Sequence, residues 1–184
     1  MRQNFGSKPV MYPLPVLLIA TYDENKKVDV MNAAWGVICD MDKIALYLTA
    51  EHKTTKNIFF SKAFTVSMAT ANHVKEADYF GVVSANKVED KFEKSGCHAI
   101  DSTFVNAPII EEFPMTLECE MDSWDEESEC MVGKIINISA DESILTDGKI
   151  DPSKLKPIAY DPVHNEYLVL GEKVGNAFKD GFEL

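Results

Sequence analysis

The stretch Met115–Ser123, MTLECEMDS, alternates without a break: Leu117, Cys119 and Met121 on one side, Thr116, Glu118, Glu120 and Asp122 on the other. Period two is the mark of a strand with one face in a core and one in water, and such strands belong to antiparallel sheets. A second strand, Cys130–Ser139 (CMVGKIINIS), follows the turn-like Trp124–Glu129, so the two read as a hairpin. The acidic cluster Asp125-Glu126-Glu127 and Glu129 is then a solvated loop.

Working outward, the same grammar recurs. Pro15–Tyr22 (PVLLIATY) reads as a strand, Asp23–Lys27 as a polar hairpin turn, and Val28–Trp35 as the returning strand. Ile44–Thr49 alternates again, a helix follows from Thr54, and Phe64–Ala69 is a further strand. Asn72–Ser84 reads as a helix capped by Asn72, with Val74, Ala77 and Phe80 on one face. Val88–Lys94 is a charged helical turn, Asp101–Ile110 a loop, and Ser143–Lys156 an irregular polar segment. Ile158–Tyr160 and Glu166–Leu170 form a last pair of short strands before the tail Gly171–Leu184. Strands outnumber helices and are joined by short turns. The expected fold is mainly β with helices, a largely antiparallel barrel in a single domain covering residues 1–184. A dinucleotide-binding α/β fold is disfavoured, because no G-x-G-x-x-G occurs.

The 184 residues are 46% hydrophobic and 26% charged, ordinary proportions for one globular domain. The net charge of −12 argues against a nucleic-acid partner. No apolar run reaches the ~20 residues of a membrane-spanning helix, and Met1–Phe5 begins no signal sequence, so a cytoplasmic protein is expected. The four cysteines include no C-x-x-C pair, which removes the common zinc and dithiol motifs. Cys119 and Cys130 fall in strands as small buried residues, whereas Cys97, after Gly96, is the one expected in an exposed loop. No paired carboxylates and no Ser-His-Asp set stand out.

Two stretches carry chemistry. His52-Lys53-Thr54-Thr55-Lys56-Asn57 opens a helix with Thr54 as its expected cap. Lysines oppose the dipole in a first turn, yet Lys53 and Lys56 stand there. Together with Thr54, Thr55 and the free first-turn amides they can seat a phosphate. An ordinary Thr cap with solvated lysines fits the same residues. Asn32-Ala33-Ala34-Trp35 could line a planar ligand: Asn32 with donor and acceptor for a polar ring edge, Ala33 and Ala34 for close approach, Trp35 as a wall. A half-buried strand with a core Trp fits equally.

The order of the pieces is more specific than any one of them. Tyr12–Val16, Asn32–Trp35, Lys53–Ile58, Phe64–Ser67, Asp78–Gly81, Ser84 with Asp90-Lys91-Phe92, Ala107–Glu111, Leu117–Cys119, Val132–Ile135 and Tyr167–Gly171 follow one another over residues 9–175. This order resembles the flavin reductase-like family, the FMN-binding split barrels, and within it the flavoredoxin-type branch. The resemblance implies a homodimer that binds FMN near its subunit interface. Asn32, Ala33, Ala34 and Trp35 would lie along the ring, and Lys53, Thr54 and Thr55 would take the phosphate. Ser84 and Lys91 would close over the cofactor, Lys91 adding charge near the phosphate from the same or the other subunit. Family members often carry Ser-Gly where this chain has Ser84-Ala85, and the nucleotide-oxidising members often carry a His where this chain has Cys130. The second departure favours a flavoredoxin-like electron carrier, exchanging electrons with a redox protein, over an NAD(P)H-dependent flavin reductase. A flavin-storage protein and a cofactor-free barrel module remain as alternatives to an enzyme.

Overall fold

Strand Leu17–Tyr22 is buried at all six positions, because both faces of the sheet it belongs to are covered. Successive side chains flip sides along a strand. Leu18 and Ala20 enter one core, with Val30, Phe80, Ile110 and Phe113, while Leu17 and Ile19 enter a second, with Leu46, Ile58, Phe64, Leu117 and Met131. The run of Leu, Ile and Ala is therefore continuous rather than alternating.

The computed structural model describes residues 1–183; the last residue of the expected tail, Leu184, lies outside them. In chain order the strands are β1 (Leu14–Pro15), β2 (Leu17–Tyr22), β3 (Val28–Ala33), β4 (Gly36–Asp40), β5 (Lys43–Tyr47), β6 (Ala63–Met68), β7 (Ala99–Asp101), β8 (Pro108–Ile110), β9 (Met115–Asp125), β10 (Cys130–Ala140), β11 (Leu145–Thr146), β12 (Lys149–Ile150), β13 (Ile158–Asp161) and β14 (Glu166–Val169). The helices are α1 (Lys53–Ser61), α2 (Val74–Val82), α3 (Lys91–Ser95) and α4 (Pro152–Leu155).

Seven strands form one antiparallel sheet in the order β3-β2-β6-β9-β10-β5-β4, and β1-β13-β14 form a smaller one. The long β9–β10 hairpin shifts register at Val132/Gly133 and again at Ile135/Asn137. Such bulges sharpen twist and let a sheet curl. Because β3 and β4 remain as separate edges of the large sheet, the barrel is split rather than closed. The fold is mainly β and antiparallel, as the sequence leads one to expect.

Several local expectations are corrected. The run Val28–Trp35 is not one strand: β3 ends at Ala33, and Trp35 sits in the turn into β4, 59% exposed, rather than in a core. The expected loop 101–110 pairs its ends as the β7–β8 hairpin. This hairpin covers the polar face of β9, so Thr116 and Glu118 are buried instead of solvated. Glu118 accepts hydrogen bonds from Ser102 Oγ and, at 2.7 Å, from Asn137 Nδ2, while Thr116 and Ser67 share a hydroxyl bond of 2.8 Å. Cys97 is buried, and the exposed cysteine is Cys39 on β4. Cys119 is buried as expected, whereas Cys130 is only half-buried. Among the described residues no helix is long and apolar enough to cross a membrane, and no group of three His, Cys, Asp or Glu side chains could hold a metal ion.

Candidate functional site

The site begins where α1 meets β3. The helix starts two residues earlier than a cap at Thr54 would place it: Lys53 is its first residue and His52 its N-cap, in extended conformation and with no side-chain capping bond. Thr54 does not cap because its hydroxyl is used sideways, donating to Asp29 Oδ2 at 2.5 Å. Thr55 bonds back to the carbonyl of Thr49 at 2.9 Å and fixes the turn that enters the helix. With no side chain closing this end and no acid in the first turn, the leading amides and their partial positive charge face outward. Lys53 adds a full charge, anchored 3.3 Å from Asp23 in the β2–β3 turn.

A cleft of about 160 Å³ opens at this helix end. Asp29, Met31 and Asn32 of β3 form one wall, and Phe80–Val82 at the end of α2 with Val83–Ala85 form the other. Asn32 Nδ2 donates to the carbonyl of Ala77 at 2.9 Å, tying β3 to α2 and leaving its amide oxygen as an acceptor. Gly81 permits that approach, since a Cβ there would stand 3.3 Å from the Cβ of Asn32.

Lys91 lies at the bottom, 4% exposed. Its ammonium donates to the carbonyls of Val30 (2.7 Å) and Phe80 (2.9 Å). The first is on β3, an edge strand. The second is among the last carbonyls of α2, which have no partner within the helix. Burial pulls the Lys91 pKa below its ordinary value, and the carboxylate of Asp29 pulls it back up. An ammonium has three donors, and two are accounted for.

A shallower hollow shares Asn32, Gly81 and Val82 with the cleft, and it meets an apolar groove at Ala34. That groove, about 520 Å³, is walled by Trp35, Pro13, Tyr47 and Val37. Joined through these shared residues, the three make a trough whose α1 end holds Lys53 and Lys91 beside Asp29 and whose Trp35 end is apolar.

The sequence-derived residues therefore divide. Asn32, Lys53, Thr54, Ser84 and Lys91 meet at the cleft, on one chain. Ala34 and Trp35 line the apolar end. Ala33 packs into the second core instead of facing the cleft. Thr55 is buried with its hydroxyl already bonded, and only its backbone amide belongs to the helix end. Asp29 and Gly81 were missed. An acid between Val28 and Val30 is the signal for the first; Gly81 closes the stretch Asp78–Gly81 of the family order.

The sequence profile of the flavin reductase-like domain matches residues 10–160. The chain belongs to the flavin reductase-like family. Membership implies a flavin as cofactor. Among solved structures, flavoredoxin of Desulfovibrio vulgaris (Miyazaki F) is 35% identical, with a TM-score of 0.94 over 98% of this chain and 100% of that one. Flavoredoxin from Methanosarcina acetivorans is 25% identical, with a TM-score of 0.90 over 100% of this chain and 99% of that one. An FMN-binding domain of a flavin reductases-like enzyme from Shewanella baltica OS155, 18% identical, shares the fold with a TM-score of 0.80 over 88% of each chain. The chain is thus a flavin reductase-like protein of flavoredoxin type.

Proposed function

We propose that this flavin reductase-like protein binds FMN and works as an electron carrier in the manner of a flavoredoxin, the whole chain serving as one flavin-binding unit. The observation that carries the reading is the polarity of the trough. Its two ends differ as the two ends of FMN differ. First-turn amides, Lys53 and Lys91 suit a phosphate. Trp35 and the apolar walls near Ala34 suit a flat ring. Asn32, between them, offers an amide oxygen to a ring N–H.

Bound FMN supplies one- and two-electron redox chemistry. This chain's residues then bind, orient and exclude water. The apolar end has no acid or base other than the phenol of Tyr47, so proton transfer by a side chain is not built into it. Cys130, at the start of β10, has no imidazole to offer a nicotinamide. These features favour exchange with a redox protein over turnover of NAD(P)H. Four free thiols suit the reducing cytoplasm.

The exposed residues Val37, Ile38 and Met41 on and after β4, next to Trp35 and Tyr47, make an apolar face at a sheet edge. A second copy of the chain covering it would give a homodimer. Light scattering should then report twice the chain mass, and Ile38→Lys should shift it toward the monomer.

The binding claim is tested by titrating the apoprotein with FMN and with riboflavin, following flavin fluorescence. FMN should bind at least about tenfold more tightly, the effect of one charge-assisted phosphate contact. Lys53→Ala should reduce that preference while the melting curve stays cooperative. Equal affinity for the two flavins in the unsubstituted chain would remove the phosphate seat from the account.

A further inference from the structure

Asp29 is the cleft side chain that an anion seat does not explain. It stands on β3 beside the helix end proposed to take a phosphate, where a carboxylate repels the incoming charge. It is 2% exposed. Oδ2 accepts from Thr54, and among the described residues no other hydrogen bond or ion pair reaches the carboxylate, so Oδ1 has no partner. Also among the described residues, no fully enclosed side-chain oxygen lacks a partner. Oδ1 therefore keeps an opening, and the opening available to it is the cleft that Asp29 lines.

A carboxylate oxygen held in a largely buried site is a strong acceptor, costly to leave unbonded. What completes it must donate. Phosphate oxygens that carry the negative charge cannot. The ring edge that Asn32 would meet lies further along β3. The donors next to the phosphate in FMN are the hydroxyls of its sugar-alcohol chain.

The geometry points to Asp29 as a specificity residue for the polyol. Resting on the FMN reading, its Oδ1 accepts a hydrogen bond from a ribityl hydroxyl close to the phosphate, so the cleft selects an anion that carries hydroxyls over a bare one. Thr54 orients the carboxylate through Oδ2. Lys91 supplies the compensating charge, its ammonium held in place by the Val30 and Phe80 carbonyls. This is how an acid can stand beside a phosphate without defeating it.

The test uses the unsubstituted protein first, which removes any question of misfolding. Dissociation constants are measured by fluorescence quenching for FMN and for its 2′-, 3′- and 4′-deoxyribityl analogues. One analogue should bind about 10- to 100-fold more weakly than FMN, the scale of a hydrogen bond to a charged acceptor. Asp29→Asn, checked for an intact melting transition, should narrow the gap between FMN and that analogue. Three analogues that bind as FMN does would overturn the assignment while leaving the FMN reading intact. An unchanged gap in the folded Asp29→Asn protein would overturn it as well. Failure of the unsubstituted protein to bind FMN at all would overturn both readings together.

Discussion

Replacing Lys91 by Met tests whether one buried ammonium holds the cleft together. The substitution keeps length and removes charge. It strips the Val30 and Phe80 carbonyls of their 2.7 and 2.9 Å donors in a region where water cannot readily replace them. An unsatisfied buried carbonyl costs about 1–3 kcal/mol. Asp29 also loses the cation that offsets it. The sum is about 3–5 kcal/mol, a large part of the ~5–15 kcal/mol that stabilises an ordinary domain. For a chain of this length that corresponds to a midpoint lower by about 10 °C. The assay is thermal unfolding of the apoprotein, followed by circular dichroism, with Lys94→Met as control. Lys94 pairs with Asp90 at 2.9 Å, but both are over half exposed, and its removal should move the midpoint by less than about 2 °C. If Lys91→Met melts as the control does, the lysine does not brace β3 against α2, and the reasoning is refuted.

Other expectations follow from the same structure. Gly133 on β10 has no room for a side chain, because a Cβ would stand 2.3 Å from Cζ of the buried Phe64 ring. Gly133→Ala should cost about 1–3 kcal/mol in a denaturant melt, and Phe64→Leu in the same chain should recover part of it; additive losses would contradict the contact. Burial pushes the thiols of Cys97 and Cys119 up to about 11 and about 12, whereas Cys39 is exposed. Ellman's reagent at pH 8 should therefore label Cys39 first and reach Cys97 and Cys119 only on unfolding; rapid labelling of Cys97 would place it outside the core. Burial, reinforced by its bond to Asp78, pushes the Tyr167 phenol from 10 up to about 12. The unfolded chain ionises first, so this stabilisation is complete below pH 10 and is lost as the pH climbs to about 12. Tyr167→Phe should flatten that part of the stability profile, and an unchanged alkaline limb would count against the burial.

Much of the architecture was legible because β9 and β10 bury one face toward a core and are joined by a short turn. What misled was covering, which local pattern does not encode. Glu118 obeys the alternation of a solvated face and is nonetheless enclosed, because a hairpin from residues 99–110 lies over it and supplies Ser102. Cys97 follows a glycine yet packs with Phe80 and Phe113. The anion end of the cleft could be read from Lys53 and Thr54, since lysines in a first turn run against the dipole and call for a reason. Asp29 could not be read the same way. Its meaning depends on Thr54, 25 residues on, and on Lys91 further still, partners that only the fold brings together. By sequence Trp35 fits a core or a ring wall. A turn after Ala33 exposes it, and only the neighbouring Pro13 and Tyr47 show that it borders a groove.

The central claim, that this flavin reductase-like protein carries FMN as an electron carrier, is tested most directly by the visible spectrum of the purified protein under anaerobic conditions. Spectra are recorded after loading with FMN and desalting, then after NADH, NADPH and dithionite in turn. The account predicts flavin bands that survive desalting, persist with either nucleotide and bleach with dithionite. Bleaching by a nucleotide would contradict the electron-carrier assignment in favour of a reductase, and a colourless protein after desalting would contradict the flavin site itself.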